Sequence, residues 1–487
     1  MAFAALIGAL QVCARGASSN AAVKLPIIDM TDRVFVSINA EKELSHAWVG
    51  QITQGSQGFL WFGTRDSLVR YDGYQIRRYT PGSAGGNGIL VQECCRYTVF
   101  RDHLGRIWIG GSDFVYKYDL ATERFGTLPI ASDKLQGLVR GINEDRAGIM
   151  WLATSRGLTR YNPRNGETTR FVHNDGDQAT LGSNFVRATL EAQDGTFWVA
   201  TNTTLEVLDR QTGRITQHFS LRNPLQKAVS TGNAYVRLLE DRKGTVWIAS
   251  ARDGLAFFNP RRKALTFVSL TTGPNIEPGA WAILEDRNGT LWVGTEYGLI
   301  RLDVERKQLF RYRNDPADRD SLPADWILAL FEDDEGGIWV GTANGGVVRF
   351  SAAPPPFRRY RRPQGTSGSS TTDYVVSAYE DSHGIIWAGT KGAINRIDLR
   401  TSRYTVQPIG ENTEVGSIAE DRSGEFWIGT FDGSLFRFNP VTQAWVTYPH
   451  HAGAPGCANN EVRALMIDRR GTLWAGAGDS LCSFDPV

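Results

Sequence analysis

The chain has 487 residues, too many for one small domain, and its 53 basic residues balance its 52 acidic residues to a net charge of +1. This balance excludes the concentrated basic surface that nucleic-acid binding requires. Because the sequence contains no run of about 20 apolar residues, no membrane-spanning helix is predicted. The 52 glycines and 14 tryptophans favour short strands joined by tight turns.

The N-terminus begins with an uncharged apolar stretch, residues 2–12, followed by small residues at positions 16–18. This order is typical of a secretory signal, although the basic residues that usually precede the apolar core are missing. We expect a signal segment over residues 1–22, with an ordinary apolar N-terminus as the alternative. Residues 33–38 then predict a strand, which in a closed ring of sheets can supply the outer strand of the last sheet.

A tryptophan recurs ten times along the chain at spacings of 40 to 49 residues, and a glycine stands three residues before each one. The tryptophans are Trp61, Trp108, Trp151, Trp198, Trp247, Trp292, Trp339, Trp387, Trp427 and Trp474. The glycines are Gly58, Gly105, Gly148, Gly195, Gly244, Gly289, Gly336, Gly384, Gly424 and Gly471. Such a spacing is typical of four strands per propeller blade.

An aspartate stands six residues before the tryptophan in eight of the ten repeats. A carboxylate there can cap backbone N–H groups of a tight turn, and the glycine can take the left-handed conformation that the turn requires. The tryptophan is expected to fill the space between stacked sheets. A ring of metal or acid sites is the alternative explanation of the aspartates. They are Asp102, Asp145, Asp241, Asp286, Asp333, Asp381, Asp421 and Asp468.

Repeat six illustrates the four strands of one unit. Residues 282–284 predict the first strand, the segment around Trp292 predicts the second, and residues 298–303 and 309–312 predict the third and fourth. The sequence therefore predicts an all-β fold, a β-propeller of ten four-stranded repeats.

The segments 58–73, 285–303 and 332–350 resemble two-component regulator propeller repeats. In that family the repeats form the extracytoplasmic sensor region of bacterial hybrid histidine kinases and of some diguanylate cyclases. The resemblance implies a periplasmic, ligand-binding sensor. Family members usually carry fourteen repeats in two seven-bladed propellers, followed by a sandwich domain, a membrane helix and signalling domains. This sequence has ten repeats and ends after the third strand of the tenth, so we expect either a fragment of a membrane-tethered sensor or a shortened relative.

The domain organisation follows from the repeat count. We expect a seven-bladed propeller over residues 33–350, a connection rich in Pro, Gly and Ser over residues 351–372, and three repeats of an incomplete second propeller over residues 373–487. A single larger ring, closed by residues 33–38, is the alternative. Blades of an unfinished propeller would have exposed edges.

Candidate binding residues are those that lead into the inner strand of each repeat, five or seven positions before the aspartate. Aromatic rings there suit the apolar faces of sugars, and arginines suit carboxylates. We therefore expect a small polar ligand, such as a saccharide, over the mouth of the central channel. The alternative is that these rings plug the channel or pack between blades. The candidates are Trp48, Tyr97, Arg140, Phe185, Arg187, Trp281, Trp326, Tyr374 and Arg463.

Catalysis is not expected from this chain, and neither a metal nor a cofactor is predicted, because no pair of histidines recurs at ligand spacing. The full-length relatives implied by the resemblance carry kinase or cyclase domains that this sequence lacks. A metal-dependent lyase that uses His450 and His451 is one alternative, and a self-contained propeller acting as a binding protein or scaffold is another. Homodimers are also expected. Cys457 and Cys482 fall in the same last repeat and can pair in an oxidising compartment.

Overall fold

The computed structural model describes residues 23–38, 44, 47–79, 98–119, 121–130, 133–223, 235–260, 262–271, 277–303, 308–353, 374–398, 403–410, 413–448, 461–478 and 480–484. Within these ranges the chain forms strands and no helix that is long and apolar enough to cross a membrane. The expected signal segment, residues 1–22, and residues 354–372 of the expected connection lie outside the described ranges.

Three short strands precede the repeats: β1 (Val23–Lys24), β2 (Ile27–Asp29) and β3 (Val36–Ser37). Repeat one contains β4 (Val49–Gln54), β5 (Leu60–Thr64), β6 (Leu68–Tyr71) and β7 (Ile76–Tyr79). Repeat two contains β8 (Thr98–Arg101), β9 (Ile107–Gly110), β10 (Val115–Asp119) and β11 (Arg124–Thr127). Repeat three contains β12 (Val139–Glu144), β13 (Met150–Thr154), β14 (Gly157–Tyr161) and β15 (Thr168–Phe171).

Repeat four contains β16 (Val186–Glu191), β17 (Phe197–Thr201), β18 (Thr204–Asp209) and β19 (Arg214–Ser220). Repeat five contains β20 (Val236–Glu240), β21 (Val246–Ser250), β22 (Gly254–Asn259) and β23 (Ala264–Ser269). Repeat six contains β24 (Ala280–Glu285), β25 (Leu291–Thr295), β26 (Gly298–Asp303) and β27 (Gln308–Tyr312). Repeat seven contains β28 (Ile327–Glu332), β29 (Gly337–Thr342) and β30 (Val347–Ser351).

Repeat eight contains β31 (Val375–Glu380), β32 (Ile386–Thr390), β33 (Ala393–Asp398) and β34 (Arg403–Pro408). Repeat nine contains β35 (Val415–Glu420), β36 (Phe426–Thr430), β37 (Leu435–Phe438) and β38 (Trp445–Tyr448). Repeat ten contains β39 (Val462–Ile467), β40 (Leu473–Ala477) and β41 (Ser480–Phe484). The strands of every repeat pair antiparallel in chain order to form one sheet, which confirms the predicted β-propeller fold.

The chain divides into two compact units, Met1–Arg358 and Arg359–Val487. In the first unit the inner strands pack against one another in the order of the repeats, from β4 through β8, β12, β16, β20 and β24 to β28. Strand β28 then packs against β4, so the series returns to its start. The backbone N–H of Asp334 in repeat seven also donates to Gln54 Oε1 in repeat one at 2.8 Å. These contacts support a seven-bladed ring, and the division into a complete and an incomplete propeller stays a prediction.

The strand expected over residues 33–38 is present but shorter, and it completes repeat seven. Val36 and Ser37 of β3 pair antiparallel with Arg349 and Val348 of β30. Repeat ten has a three-stranded sheet in the described residues, so the alternative in which residues 33–38 close a ring at the tenth repeat is wrong. Within the described residues repeat seven has three strands of its own, and β3 adds the fourth.

Two further N-terminal strands were not expected from the sequence. Strand β1 pairs parallel with β23, and β2 pairs parallel with β27, so each adds a fifth strand to its sheet. The guanidinium of Arg311 bonds both carboxylate oxygens of Asp29, at 2.7 and 3.0 Å. Residues 23–38 therefore follow the outer edges of repeats five, six and seven in turn.

The repeated aspartate is a turn residue, as predicted, and it also holds the repeated tryptophan. In repeat six, Asp286 Oδ1 accepts the backbone N–H groups of Asn288 and Thr290, each at 2.9 Å. The other oxygen, Oδ2, accepts the indole N–H of Trp292 at 2.9 Å. All eight aspartates make this set of three bonds. The carboxylate thus joins the turn to the core.

The turn glycines all have a left-handed backbone, with φ of 78° at Gly289. That conformation is costly for residues with a Cβ, which explains why glycine recurs at this position without exception. The tryptophans lie between neighbouring sheets: Trp292 of repeat six contacts the ring of Phe350 in repeat seven at 4.9 Å. The core of the first unit is therefore a series of apolar layers between sheets.

Replacing Asp333 by Ala should lower the free energy of unfolding by about 2 kcal/mol, because Trp339 Nε1 and two backbone N–H groups lose their acceptor inside the protein. Asp334→Ala is the matched control, since its carboxylate is exposed, and we expect a change within about 0.5 kcal/mol. Urea denaturation of both variants measures the difference. Equal losses would contradict the bonding role of the aspartate.

The contribution of the Asp333 carboxylate to the free energy of unfolding is expected to be lost in acid. Burial opposes ionisation of Asp333, but hydrogen bonds from Arg349, Trp339 and Gly337 outweigh burial and hold its pKa below the ordinary value of 3.8. A lowered pKa in the folded state means that this contribution is present above pH 3.8 and is lost as the pH falls through the folded value. The difference in the free energy of unfolding between Asp333→Ala and the unaltered chain should therefore shrink as the pH falls below the pKa of a free carboxyl group.

Candidate functional site

Four aromatic side chains meet where the inner strands of the first unit begin. Trp48 and Tyr235 have ring centroids 6.4 Å apart, although they come from repeats one and five, whose inner strands are not neighbours. Tyr235 lies 5.4 Å from Trp281, and Trp281 lies 5.2 Å from Trp326. We call these four residues the aromatic cluster. Because it joins repeats from opposite sides of the ring, it lies over the end of the central channel.

The aromatic cluster leaves part of its surface open to solvent. Trp326 is 41% exposed, whereas the other three rings are half-buried. The indole N–H of Trp281 donates to Glu296 Oε1 at 3.2 Å, which fixes the orientation of that ring. The cluster narrows the channel mouth, as the packing alternative predicted, and it also presents an exposed ring that a ligand can stack on.

Three arginines adjoin the aromatic cluster, and we call Arg140, Arg187 and Arg237 the arginine group. The Nη1 atom of Arg140 donates to the hydroxyl of Tyr235 at 3.5 Å. The guanidinium of Arg237 lies 6.0 Å from the centre of the same ring. Tyr235 therefore links the aromatic cluster to two of the cations.

Arg187 is the most deeply buried member of the arginine group, with 6% of its surface exposed. Its Nε atom has no hydrogen-bond partner in the part of the chain that the structure describes. Its guanidinium lies 5.8 Å from the ring of Phe185. Burial, followed by the charge of Arg140, lowers the pKa of Arg187 to about 10, and Tyr235 offsets a part of this. The fold thus holds a buried cation beside another cation.

The channel beneath the aromatic cluster contains a cavity of about 130 Å³, formed by inner strands of repeats one, five, six and seven. Arg237 is the single charged side chain among its lining residues in the described structure. The equivalent positions of repeats six and seven are Ala282 and Ala329, which leave room for the long arginine side chain. Burial lowers the pKa of Arg237 as well. The cavity is therefore electropositive.

The structure brings together six of the nine residues singled out from the sequence: Trp48, Arg140, Phe185, Arg187, Trp281 and Trp326. Tyr97 lies outside the described residues. Tyr374 and Arg463 belong to the second compact unit, which is described by itself. Tyr374 is exposed, and Arg463 pairs with Glu461 at 2.5 Å. The binding role of all nine residues stays a prediction.

Tyr235 was missed because repeat five is one residue shorter before its aspartate, and Arg237 was missed because it stands four positions before the aspartate, outside the two positions that were counted. In repeats one, three, four, six and seven the pairing of the inner strand shifts by one residue, which indicates a β-bulge. In repeat five Val236 and Arg237 pair with Ser250 and Ala249 without a shift. Counting seven positions back from Asp241 therefore passes over Tyr235, which stands six back. An alignment that allowed for the bulge would have found it.

Among the described residues no group of three or more His, Cys, Asp and Glu side chains could hold a metal ion. His450 and His451, on which the lyase alternative depends, lie outside those residues, as does Cys457. Cys482 in β41 is disulfide-bonded.

A family model described as "Two component regulator propeller" matches residues 180–203, 277–297, 321–344 and 409–432. These segments fall in repeats four, six, seven and nine, and each includes the turn glycine of its repeat. The match confirms the resemblance that was inferred from the recurring positions of the repeat. No curated protein is similar to this chain in sequence.

Two solved structures have the same fold. The extracellular domain of a protein described as the hybrid two component system BT3049 from B. thetaiotaomicron is 23% identical, with a TM-score of 0.60, over 93% of this chain and 65% of that one. The extracellular domain of the one component system BT4673 from the same organism is 22% identical, with a TM-score of 0.53, over 91% of this chain and 57% of that one. The chain therefore spans less than two thirds of either domain.

Proposed function

We propose, from the premise that this chain carries two component regulator propeller repeats, that it is the extracytoplasmic ligand-binding sensor region of a bacterial signalling protein. The similarity to extracellular domains of two component and one component systems supports this role. The disulfide at Cys482 is in keeping with an oxidising compartment such as the periplasm. The output domain would be a histidine kinase or a diguanylate cyclase encoded beyond this sequence.

The ligand that fits the channel mouth best is a small polar molecule with an anionic group, such as an acidic saccharide. The observation that carries this proposal is Arg187, a buried guanidinium that adjoins a second cation and has an Nε without a partner in the described structure. A carboxylate of the ligand would accept charge-assisted hydrogen bonds from the Arg187 guanidinium in a bidentate geometry. Because buried cations are costly when uncompensated, the site is poised to bind an anion.

The aromatic cluster would bind the rest of such a ligand. The exposed face of Trp326 suits the apolar face of a sugar ring, and the contact with Trp281 holds it in place. Signalling would follow if ligand binding changes the pose of propellers or of paired protomers, because a ligand shifts a conformational equilibrium only by its different affinity for the two states. A homodimer is the expected form of the complete sensor.

Replacing Trp326 by Ala should weaken binding of a glucuronic-acid disaccharide by about tenfold, because the exposed stacking surface is removed. Its partial exposure predicts that the variant still folds. Tyr74→Ala is the control, since Tyr74 is also exposed but lies between β6 and β7, away from the aromatic cluster. Isothermal titration with the acidic disaccharide and with its neutral glucose counterpart measures both affinities. Equal affinity for the two sugars would exclude the anionic ligand.

The reading frame beyond codon 487 tests the signalling role separately from the ligand. We expect further propeller repeats, a membrane helix and a kinase or cyclase domain. A stop codon directly after Val487 would remove the output and favour a self-contained binding protein or scaffold.

A further inference from the structure

The turn of repeat one lacks the carboxylate that eight other repeats contain, because Gly55 stands at the aspartate position. In those eight repeats the aspartate accepts an indole N–H and two backbone N–H groups. The equivalent donors in repeat one are Trp61 Nε1, Gln57 N and Phe59 N. Trp61 is 1% exposed, and with glycine at position 55 no carboxylate of its own turn reaches the indole N–H. The three donors remain arranged for a carboxylate.

A second acidic residue is missing at the same junction. In most repeats the residue before the aspartate is a glutamate, which accepts a backbone N–H from the preceding repeat. Glu332 accepts from Arg287 N at 2.9 Å, and Glu285 accepts from Arg242 N at 2.8 Å. In repeat two this position is Arg101, which offers no acceptor to Ser56 N; its Nη1 donates to Gln54 O at 3.3 Å and lies 4.0 Å from Asp334 Oδ2. The junction of repeats one and two has thus lost two acceptors.

A cavity of about 300 Å³ lies at this junction, at the end of the inner strands opposite the aromatic cluster. Its lining includes Gly55, Gln57, Phe59 and Trp61 together with three charged residues of repeat two, Arg106, Lys117 and Asp119. A Cβ placed on Gly55 would lie 3.3 Å from Trp61 Nε1, so the space of the missing side chain opens toward the indole N–H. We call this cavity the repeat-one notch.

Repeat four provides an internal comparison, because Ala192 replaces the aspartate there. Its tryptophan nitrogen, Trp198 Nε1, is fully buried and has no partner in the described structure, so it is closed to solvent. The neighbouring glutamate is retained: Glu240 accepts Gln193 N at 2.7 Å. Loss of the aspartate alone therefore does not make an accessible site.

We propose that the repeat-one notch binds the carboxylate of a small molecule, in the place that the aspartate side chain occupies in other repeats. The indole N–H of Trp61 and the backbone N–H groups of Gln57 and Phe59 donate to the carboxylate oxygens. At the rim Lys117 is accompanied by Asp119, and Arg106 pairs with Asp102 at 2.5 Å, so recognition of the carboxylate rests on the three N–H donors. This site is separate from the channel mouth, and its existence does not depend on the proposed sensor function.

The test is a titration of the complete chain, labelled with ¹⁵N at tryptophan, with sodium acetate. The indole N–H signal of Trp61, assigned from its disappearance in Trp61→Phe, should shift with a dissociation constant on the order of 1 mM to 10 mM. Acetamide, which has the same shape without the charge, should shift it much less. Absence of a Trp61 shift with acetate would overturn the proposal.

Gly55→Asp provides the decisive variant, because it restores the side chain that the ligand would replace. Gly55 does not have a left-handed φ, so an aspartate is compatible with its backbone. We expect the melting temperature to rise and the acetate-induced shift of Trp61 to disappear. Ala192→Asp is the matched control, in which the Trp61 shift should persist. A shift that survives in Gly55→Asp would show that acetate acts elsewhere, and the signal of Trp281 reports separately on the channel mouth.

Discussion

Replacing Phe35 by Ala should lower the free energy of unfolding of the first unit by about 4 kcal/mol, the cost of removing a buried aromatic side chain. Phe35 is 3% exposed and contacts the rings of Phe350 and Tyr312, at 5.0 and 5.9 Å. It precedes β3, the strand that completes repeat seven next to repeat one. The loss should therefore act on closure of the whole ring.

The neighbouring residue is the control for this effect. Val36 is 56% exposed, so Val36→Ala should change the free energy of unfolding by about 0.5 kcal/mol or less. Urea denaturation measures both changes, and hydrogen exchange of the amides in β28–β30 and β4 shows where protection is lost. Similar losses for both variants, or lost protection confined to repeat six, would contradict closure through β3.

The repeat architecture was predictable because each recurring residue of the repeat is required by contacts within its own hairpin. The aspartate, the glycine and the tryptophan lie within seven residues of one another and make their hydrogen bonds within the same hairpin. Such short-range rules leave a trace in the sequence each time they recur. What the sequence did not contain was the bond from the carboxylate to the indole, which emerges only when the two strands are paired.

The N-terminal strands were harder to predict because their partners lie far away in the chain, from 245 residues for Val23 and Val268 to 313 residues for Val36 and Arg349. Strands β1 and β2 have two and three residues, too few for an alternating pattern of buried and exposed side chains. The strand around Val36 was predicted from the sequence, but the repeat that it completes was left open. It pairs with β30 of repeat seven. Register and partner are decided by the ring, which the sequence does not encode locally.

Part of the candidate site followed from position alone. Counting back from the aspartate located Trp281 and Trp326 because their repeats contain the β-bulge. The same count failed for Tyr235, where the bulge residue is absent. The described part of the chain places no carboxylate in an ion pair with Arg187, and this could not be predicted from the sequence, because it depends on which side chains of distant repeats meet at the channel.

Replacing Arg187 by Met should have two opposite effects, a loss of ligand binding and a gain in stability. Affinity for an acidic disaccharide should fall about 100-fold, the consequence of removing a buried charge partner, while affinity for the neutral sugar stays within about twofold. The free energy of unfolding should rise by about 2 kcal/mol at neutral pH, because a buried cation is replaced by an apolar side chain of similar length.

The gain in stability has a defined pH dependence. The folded pKa of Arg187, about 10, is lower than the ordinary pKa of a guanidinium, so the unfolded chain holds this proton more tightly than the folded chain. The charged group therefore destabilises the fold below pH 10, and this penalty shrinks as the pH rises above that value. The advantage of Arg187→Met should accordingly be full at pH 7 and diminish in alkaline solution.

Arg164→Met is the control for both effects, since Arg164 is exposed and lies between β14 and β15, away from the arginine group. Thermal unfolding and titration with the acidic and neutral disaccharides measure the two quantities on the same samples. A variant that loses stability together with binding would make Arg187 a structural residue. If Arg187→Met gains stability but still prefers the acidic sugar, the acidic group binds at a site other than Arg187. A gain in stability together with a lost preference for the acidic sugar is expected only if the buried charge of Arg187 destabilises the fold and serves to bind the ligand.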